Sequence, residues 1–145
     1  MNIDRLASPE IYEERNMKNM GILLVDDDLA FRNGIERYLK AHGCMNVRTA
    51  SSGETALELV KEEMPGIVIL DLYLPIMNGL KALREILKIN PNIAVFMLTC
   101  EEDEVCRSLA TKLGAYDYLT KPIELATLYS YLDLRLKSRS EKPAA

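Results

Sequence analysis

From Gly21 onward, short apolar runs rich in β-branched residues alternate with longer stretches of helical period, and few folds are compatible with that alternation. Repeated βα units bury their strands in a sheet covered on both faces by the intervening helices. Five runs qualify: Ile22-Leu23-Leu24-Val25, Asn46-Val47-Arg48-Thr49-Ala50, Gly66-Ile67-Val68-Ile69-Leu70, Ile93-Ala94-Val95-Phe96-Met97-Leu98 and Tyr116-Asp117-Tyr118-Leu119. Four are almost continuously apolar, as parallel strands buried on both faces must be. The second carries Arg48 and is expected at an edge.

The intervening stretches carry helix punctuation. The first has its apolar positions at Leu29, Ile35, Tyr38 and Leu39, starts after Asp28, and stops at His42-Gly43, where glycine can adopt the left-handed C-cap conformation. The second starts at Ser52-Gly53-Glu54, carries Ala56, Leu57, Leu59 and Val60, and ends before Pro65. Asn78 caps a third with Leu80, Leu83, Ile86 and Leu87, and Pro91 follows its end. A fourth runs from about Glu102 to Leu113 and stops at Gly114; a fifth follows Pro122, from Glu124 to Lys137. The sum is (βα)5. Right-handed crossovers then make a doubly wound, open parallel α/β sheet the economical topology.

Composition narrows the class further. With 145 residues, 48% hydrophobic and 28% charged, the chain has the size and balance of one globular domain. Its 22 acidic and 18 basic residues leave a net charge of −4, so no overall positive field draws in nucleic acid or an anionic membrane. Cys44, Cys100 and Cys106, with His42 the single histidine, fit reduced thiols in a cytoplasmic protein rather than a disulfide frame or a zinc site. Residues 1–20 contain no apolar h-region, and no run approaches the ~18 apolar residues of a membrane span.

In doubly wound sheets, ligands bind outside the carboxyl ends of the strands where strand order reverses. The residues ending the runs are Asp26-Asp27-Asp28, Asp71, Thr99 and Lys121. If the strand order is 2-1-3-4-5, the first and third strands are neighbours, and Asp26 or Asp27 lies close to Asp71. Carboxylates that close repel unless a cation or a raised proton affinity intervenes. A hard divalent ion with oxygen ligands answers this, and Mg²⁺ suits it best. Asp71 can then act as a nucleophile and become an aspartyl phosphate, with the metal, Lys121 and Thr99 offsetting charge on the phosphoryl group. Asp28 is read as the N-cap of the first helix.

These residues carry a family resemblance. The stretches Ile22 to Asp28, Val47 to Leu57, Ile69-Leu70-Asp71-Leu72-Tyr73-Leu74-Pro75-Ile76-Met77-Asn78-Gly79, Met97-Leu98-Thr99, Gly114 to Tyr118 and Leu119-Thr120-Lys121-Pro122 together resemble the receiver domain of bacterial two-component response regulators, similar to single-domain chemotaxis regulators. The resemblance covers about residues 21–136 and implies a flavodoxin-like fold. It implies that Asp71 accepts a phosphoryl group from a phosphohistidine on a sensor kinase or phosphotransfer protein. Asp26, Asp27, Asp71 and the backbone carbonyl of Tyr73 would hold Mg²⁺, and Lys121 would contact the phosphoryl oxygens. Thr99 and Tyr118 would act as switch residues, and the Lys121-Pro122 bond would be cis.

Some positions depart from the family pattern. Asn78 stands where Asp is commoner, with little consequence because both cap helices. Cys100 replaces a smaller residue and is read as a tolerated buried thiol, with restricted phosphodonor access or redox sensitivity as alternatives. Tyr73 and Glu101, each two residues beyond a site residue, occupy positions that in this family influence how water reaches the aspartyl phosphate; Tyr73 is expected to shield it. His42 is read as a helix-terminal surface residue, and Glu101-Glu102-Asp103-Glu104 as negative charge at a helix N-terminus.

The expected organisation is an N-terminal extension over 1–20, a receiver over 21–136 and a polar tail over 137–145, too short for a DNA-binding output domain. Ser8-Pro9-Glu10 suits the start of a short helix through Met17, while a true start at Met17 or Met20 would leave the receiver whole. In the last helix, Leu125, Leu128, Leu132 and Leu136 form a core stripe that Tyr129, Tyr131 and Leu134 widen, which suggests a contact surface for a downstream protein or a second copy of the chain. Two other functions compete. A metal-dependent phosphohydrolase with Asp71 as nucleophile needs a leaving-group acid, and Tyr73 stands where one is often found. A pseudo-receiver would be an interaction module alone, a reading disfavoured by the complete acidic, threonine and lysine set. Neither GxxxxGK[ST] nor GxGxxG occurs to support nucleotide binding.

Overall fold

A computed structural model describes residues 16–138. Five parallel strands alternate with five helices: β1 (Gly21–Val25), α1 (Leu29–Ala41), β2 (Asn46–Ala50), α2 (Gly53–Glu62), β3 (Ile67–Leu70), α3 (Gly79–Ile89), β4 (Ala94–Thr99), α4 (Glu104–Leu113), β5 (Asp117–Thr120) and α5 (Leu125–Lys137). The strand order is β2-β1-β3-β4-β5, the flavodoxin-like arrangement, and β2 with Arg48 lies at an edge as expected. In register, Val25 of β1 pairs with Ala50 of β2 and Leu70 of β3, which brings those strand ends level.

Because side chains alternate across a strand, each strand feeds two cores. Ile22 and Leu24 of β1 join Ile67, Ile69, Phe96 and Leu98 beneath α1 and α5, where Ile35, Leu39, Leu128, Leu132 and Leu136 complete one cluster. Leu23 and Val25 join Val68, Leu70, Val95 and Met97 on the opposite face, against Ala56, Val60, Ala82, Leu83, Ile86 and Ala110 of α2 to α4. Met17 and Met20 are also buried in the first cluster, so a chain beginning at Met20 would lose the Met17 core contact, and residues 17–20 are not a dispensable extension. The short helix expected from Ser8 falls outside the described residues.

The helix punctuation operates largely as read. Asp28, Ser52 and Asn78 accept from the backbone N–H groups of Phe31, Thr55 and Lys81 at 3.1, 3.2 and 3.0 Å. Gly43 and Gly114 take φ of 97° and 107° after α1 and α4. Several boundaries differ by one or two residues, among them those of β1, which starts at Gly21, β3, which starts at Ile67, and α5, which starts at Leu125. Helix α4 begins at Glu104, because Asp103 takes the cap position and accepts from Val105 N–H at 2.9 Å. Strand β4 is shifted by one residue to include Thr99, and β5 includes Thr120 but not Tyr116. Leu29 is not on the buried stripe of α1: in the first turn, it is 59% exposed. Arg48 explains how an edge strand tolerates a cation. Its two Nη atoms donate to the carbonyls of Leu59 and Glu63 at 2.8 and 2.6 Å, filling acceptors at the C-terminus of α2.

Gly79 closes the β3–α3 loop against the sheet. Its N–H donates to the Leu72 carbonyl at 2.7 Å, and a Cβ there would lie 2.2 Å from the Asp71 carbonyl oxygen and 2.6 Å from Leu72 Cα. Both atoms are backbone and cannot rotate away. Gly79→Ala is therefore expected to destabilise the fold by about 2 kcal/mol or more, measured by denaturant unfolding, since overpacking typically costs about 1–3 kcal/mol where neighbours can yield.

Candidate functional site

The ladder continues one residue beyond the strands, and that continuation positions the site. Asp26 N–H donates to Ala50 carbonyl at 3.1 Å, Asp71 N–H to Val25 carbonyl at 3.0 Å, and Lys121 N–H to Thr99 carbonyl at 2.8 Å. Residues from four segments far apart in the chain thus meet at the carboxyl edge. A carboxylate oxygen from each of Asp26, Asp27 and Asp71 lies within 4.8 Å of the others. Asp26 and Asp71 are buried, while Asp27 is exposed and can meet solvent or an incoming ion.

Lys121 is the counter-charge. Its Nζ lies 2.8 Å from Asp26 Oδ2 and 3.5 Å from Asp71 Oδ2, and 4.1 Å from the centroid of the Phe31 ring. Burial pulls the Lys121 ammonium toward the neutral form, but the Asp26 hydrogen bond and both carboxylate charges prevail and raise its pKa. Asp71 moves upward too. Burial pushes its carboxyl up, Lys121 opposes this, Asp26 adds to it, and hydrogen bonds from Thr99 and from Tyr73 N–H (3.3 Å) pull back. Asp26 is tied down by Asp28 N–H on its Oδ1 at 2.9 Å and by Arg32 Nη1 on its carbonyl at 2.7 Å. The peptide bond between Lys121 and Pro122 is cis, as expected.

The donor set fits Mg²⁺: three hard carboxylate oxygens converge at one edge, and one of the three residues is open to water. The same pocket has a positively charged donor beside a buried nucleophilic oxygen, the pairing that phosphoryl transfer requires.

Around this pocket, Glu101 connects three residues. Its side chain accepts a hydrogen bond from the Tyr73 hydroxyl, its N–H donates to Thr99 Oγ at 3.3 Å, and its carbonyl accepts from the Tyr118 hydroxyl at 2.9 Å. The Glu101 carboxylate holds the Tyr73 phenol protonated, with its pKa pushed up to about 12. Thr99 is fully buried, and Tyr118 is buried with its ring 4.7 Å from the Arg107 guanidinium.

Of the site residues singled out in the sequence, Asp26, Asp27, Asp71 and Lys121 meet at this edge, and Thr99, Tyr73 and Tyr118 are joined beside it through Glu101. Three contributors were missed: Phe31 beneath Lys121, Arg32 on Asp26, and Arg107 on Tyr118. Phe31 and Arg32 follow the Asp28 cap within one helical turn, which keeps both close to the carboxyl edge. Nothing in the local pattern marks Arg107. Cys100 differs from its reading as a buried thiol, because it is exposed. His42 is a helix-terminal surface residue as read: its Nδ1 is 2.9 Å from the Tyr38 carbonyl and its ring stacks on Tyr38.

Comparison with known proteins gives a consistent result. Residues 22–133 match the family described as the response regulator receiver domain. The chain is 36% identical over 118 residues to the transcriptional regulatory protein ZraR of Escherichia coli K12, covering 81% of this chain and 26% of that protein. It therefore spans about a quarter of the length of this relative. Among solved structures, the BeF3-activated N-terminal receiver domain of Klebsiella pneumoniae RstA matches at 31% identity and a TM-score of 0.74, over 81% of this chain and 98% of that one. A CheY-like receiver domain protein from Methanospirillum hungatei JF-1 matches at a TM-score of 0.81 over 86% and 98%; at 24% identity it bears on the fold alone.

The raised Asp71 pKa has a stability consequence. A carboxyl with a higher pKa folded than unfolded favours the folded state at low pH, and that advantage is lost as pH rises from the ordinary carboxylate range through the raised value. Asp71→Asn removes the buried charge. In EDTA at neutral pH it is expected to raise Tm by a few degrees, about 1 kcal/mol corresponding to roughly 2–4 °C at this size. The gap between the variant and the unaltered chain should close as pH falls below the carboxylate range; a lower Tm for the variant at pH 7 would contradict the assignment.

Proposed function

The chain belongs to the response regulator receiver domain family, and on that footing we propose that Asp71 accepts a phosphoryl group from a phosphohistidine on a sensor kinase or phosphotransfer protein. The observation that carries this reading is the convergence of Asp26, Asp27 and Asp71 within 4.8 Å, with Lys121 Nζ against two of them.

An Asp71 carboxylate oxygen attacks phosphorus, an O–P bond forms as the P–N bond breaks, and the electron pair returns to the imidazole of the donor. Mg²⁺, held by Asp26, Asp27, Asp71 and the Tyr73 backbone carbonyl, would supply charge neutralisation for the phosphoryl oxygens. Lys121 provides a fixed cation that needs only a small shift from Asp71 toward the new oxygens. Thr99 offers a hydroxyl to the same group. Since Glu101 N–H donates to Thr99 and the Glu101 carbonyl accepts from Tyr118, movement of Thr99 is passed to the β4–α4 loop and to Tyr118.

The receiving surface is the α4–β5–α5 face. Val105, Leu109, Tyr116, Tyr131 and Leu134 are exposed there, a set suited to a downstream protein or a second copy of the chain. The chain is thus a phospho-acceptor signalling domain rather than an enzyme, at most catalysing its own phosphorylation and dephosphorylation. A phosphohydrolase is disfavoured because the residue two beyond Asp71 is a tyrosine whose hydroxyl already donates to Glu101. Among the described residues no helix is long and apolar enough to cross a membrane, and the phosphohistidine donor implies a cytoplasmic location.

Incubation with acetyl phosphate and Mg²⁺, followed by intact mass, is expected to show a single phosphoryl adduct that is absent in Asp71→Asn. Repeated turnover on a phosphoester would favour the hydrolase, and no adduct would favour an interaction module. The Tyr73 hydroxyl donates to Glu101, which ties its side chain to the β4–α4 loop and supports its role as a shield. Tyr73→Asn is expected to shorten the lifetime of the adduct severalfold; an unchanged or longer lifetime would remove Tyr73 from that role.

A further inference from the structure

Ile76 combines a strained backbone with a side chain that neither core uses. Its φ is 66°, in the left-handed region that β-branched residues enter only at a conformational cost. Its side chain is 97% exposed and so adds nothing to either core. Glycine or asparagine would make the same turn without the strain. The strain is imposed by a loop fastened on both sides of Ile76: Met77 N–H donates to Pro75 carbonyl at 2.7 Å, and Gly79 N–H donates to Leu72 carbonyl at 2.7 Å. An apolar side chain is therefore held outward on a rigid loop that begins at Asp71.

The surroundings indicate what meets it. Leu29, 59% exposed at the start of α1, and Tyr73, 57% exposed, lie on the segments following β1 and β3, at the same end of the sheet as the acidic cluster. The rim of a charged pocket thus carries apolar residues that no described part of the chain covers. A phosphohistidine attached to a protein can reach Asp71 only if the donor surface presses on this rim, whereas a small phosphodonor needs only the pocket.

We propose that Ile76 is a specificity-determining anchor for the protein phosphodonor, seating in an apolar recess of the histidine-bearing partner. The proposal rests on the phospho-acceptor reading of Asp71. The occupant is the phosphodonor because it is the one molecule that the chemistry obliges to cover this pocket. The strained backbone presents the side chain in a single direction, which lowers the ordering cost of docking.

The test uses Ile76→Gly and Ile76→Asn, which suit the backbone and remove the apolar group, and Ile76→Met, which keeps it. The protein donor is the autophosphorylated cytoplasmic core of a sensor kinase, chosen from a panel as the fastest to phosphorylate the unaltered chain; the small donor is acetyl phosphate with Mg²⁺. For Gly and Asn, kcat/KM for transfer from the kinase is expected to fall about tenfold or more, the lower end of what burying one aliphatic side chain is worth. Phosphorylation by acetyl phosphate should be unchanged and Tm equal or higher, while Met should retain most of the transfer.

Unchanged transfer from the kinase would overturn the proposal, as would an equal loss with acetyl phosphate, which would put Ile76 in the chemistry instead. Dissociation of a dimer by Ile76→Gly, seen by sedimentation, would assign the residue to a second copy and also overturn it. Failure of the unaltered chain to take a phosphoryl group from acetyl phosphate would instead strike the phospho-acceptor reading, so the two failures are distinguishable.

Discussion

Three carboxylates within 4.8 Å of one another repel, and the organisation of this protein follows from how that repulsion is contained. Two like charges about 4 Å apart interact by roughly 4 kcal/mol at an effective dielectric near 20, a large fraction of a domain's net stability. The sheet supplies the restraint. Backbone hydrogen bonds from Asp26, Asp71 and Lys121 to neighbouring strands hold the residues together whatever their charges prefer. Lys121 relieves part of the repulsion, and a divalent cation can relieve the remainder. The pocket's own charge is thus left incompletely balanced, which suits it to a cation.

That imbalance is connected to the surface through few bonds. Glu101 receives hydrogen bonds from Tyr73 and Tyr118 by different atoms and donates one to Thr99. The exposed Tyr73, the buried threonine and the buried Tyr118 therefore share one loop residue. Arg107 adds a second restraint on Tyr118, through its guanidinium beside the ring and through a hydrogen bond to the Tyr118 carbonyl at 3.2 Å. Asp71 is thereby linked by hydrogen bonds through Thr99 and Glu101 to Tyr118 of β5.

Much of the fold was legible because strands and helices here follow clear periods and caps. Asp28, Ser52, Asn78, Gly43 and Gly114 do locally what their residue types favour. The carboxylates were legible because topology sends every parallel strand end to one edge, so their meeting requires only strand order. Phe31, Arg32 and Arg107 were not found, since their contacts run between helix and loop and depend on how each helix is rotated against the sheet. The same holds for Leu29 and Cys100, which are exposed where the pattern suggested burial or core contact. Met17 and Met20 belong to the core although the sequence pattern places them in an extension ahead of the first strand.

The sequence by itself determined the class of fold, the edge on which chemistry would be found, and the residue types available there. Those follow from periodicity, capping preference and the handedness of crossovers, all local or nearly local properties of the chain. Only the tertiary structure decided that Lys121 bonds Asp26 more closely than Asp71, that Glu101 joins Tyr73 to Tyr118, and that Ile76 stands fully exposed with a left-handed backbone. Each depends on distances between segments far apart in sequence. Packing of the whole chain sets those distances, and residue pattern does not record them.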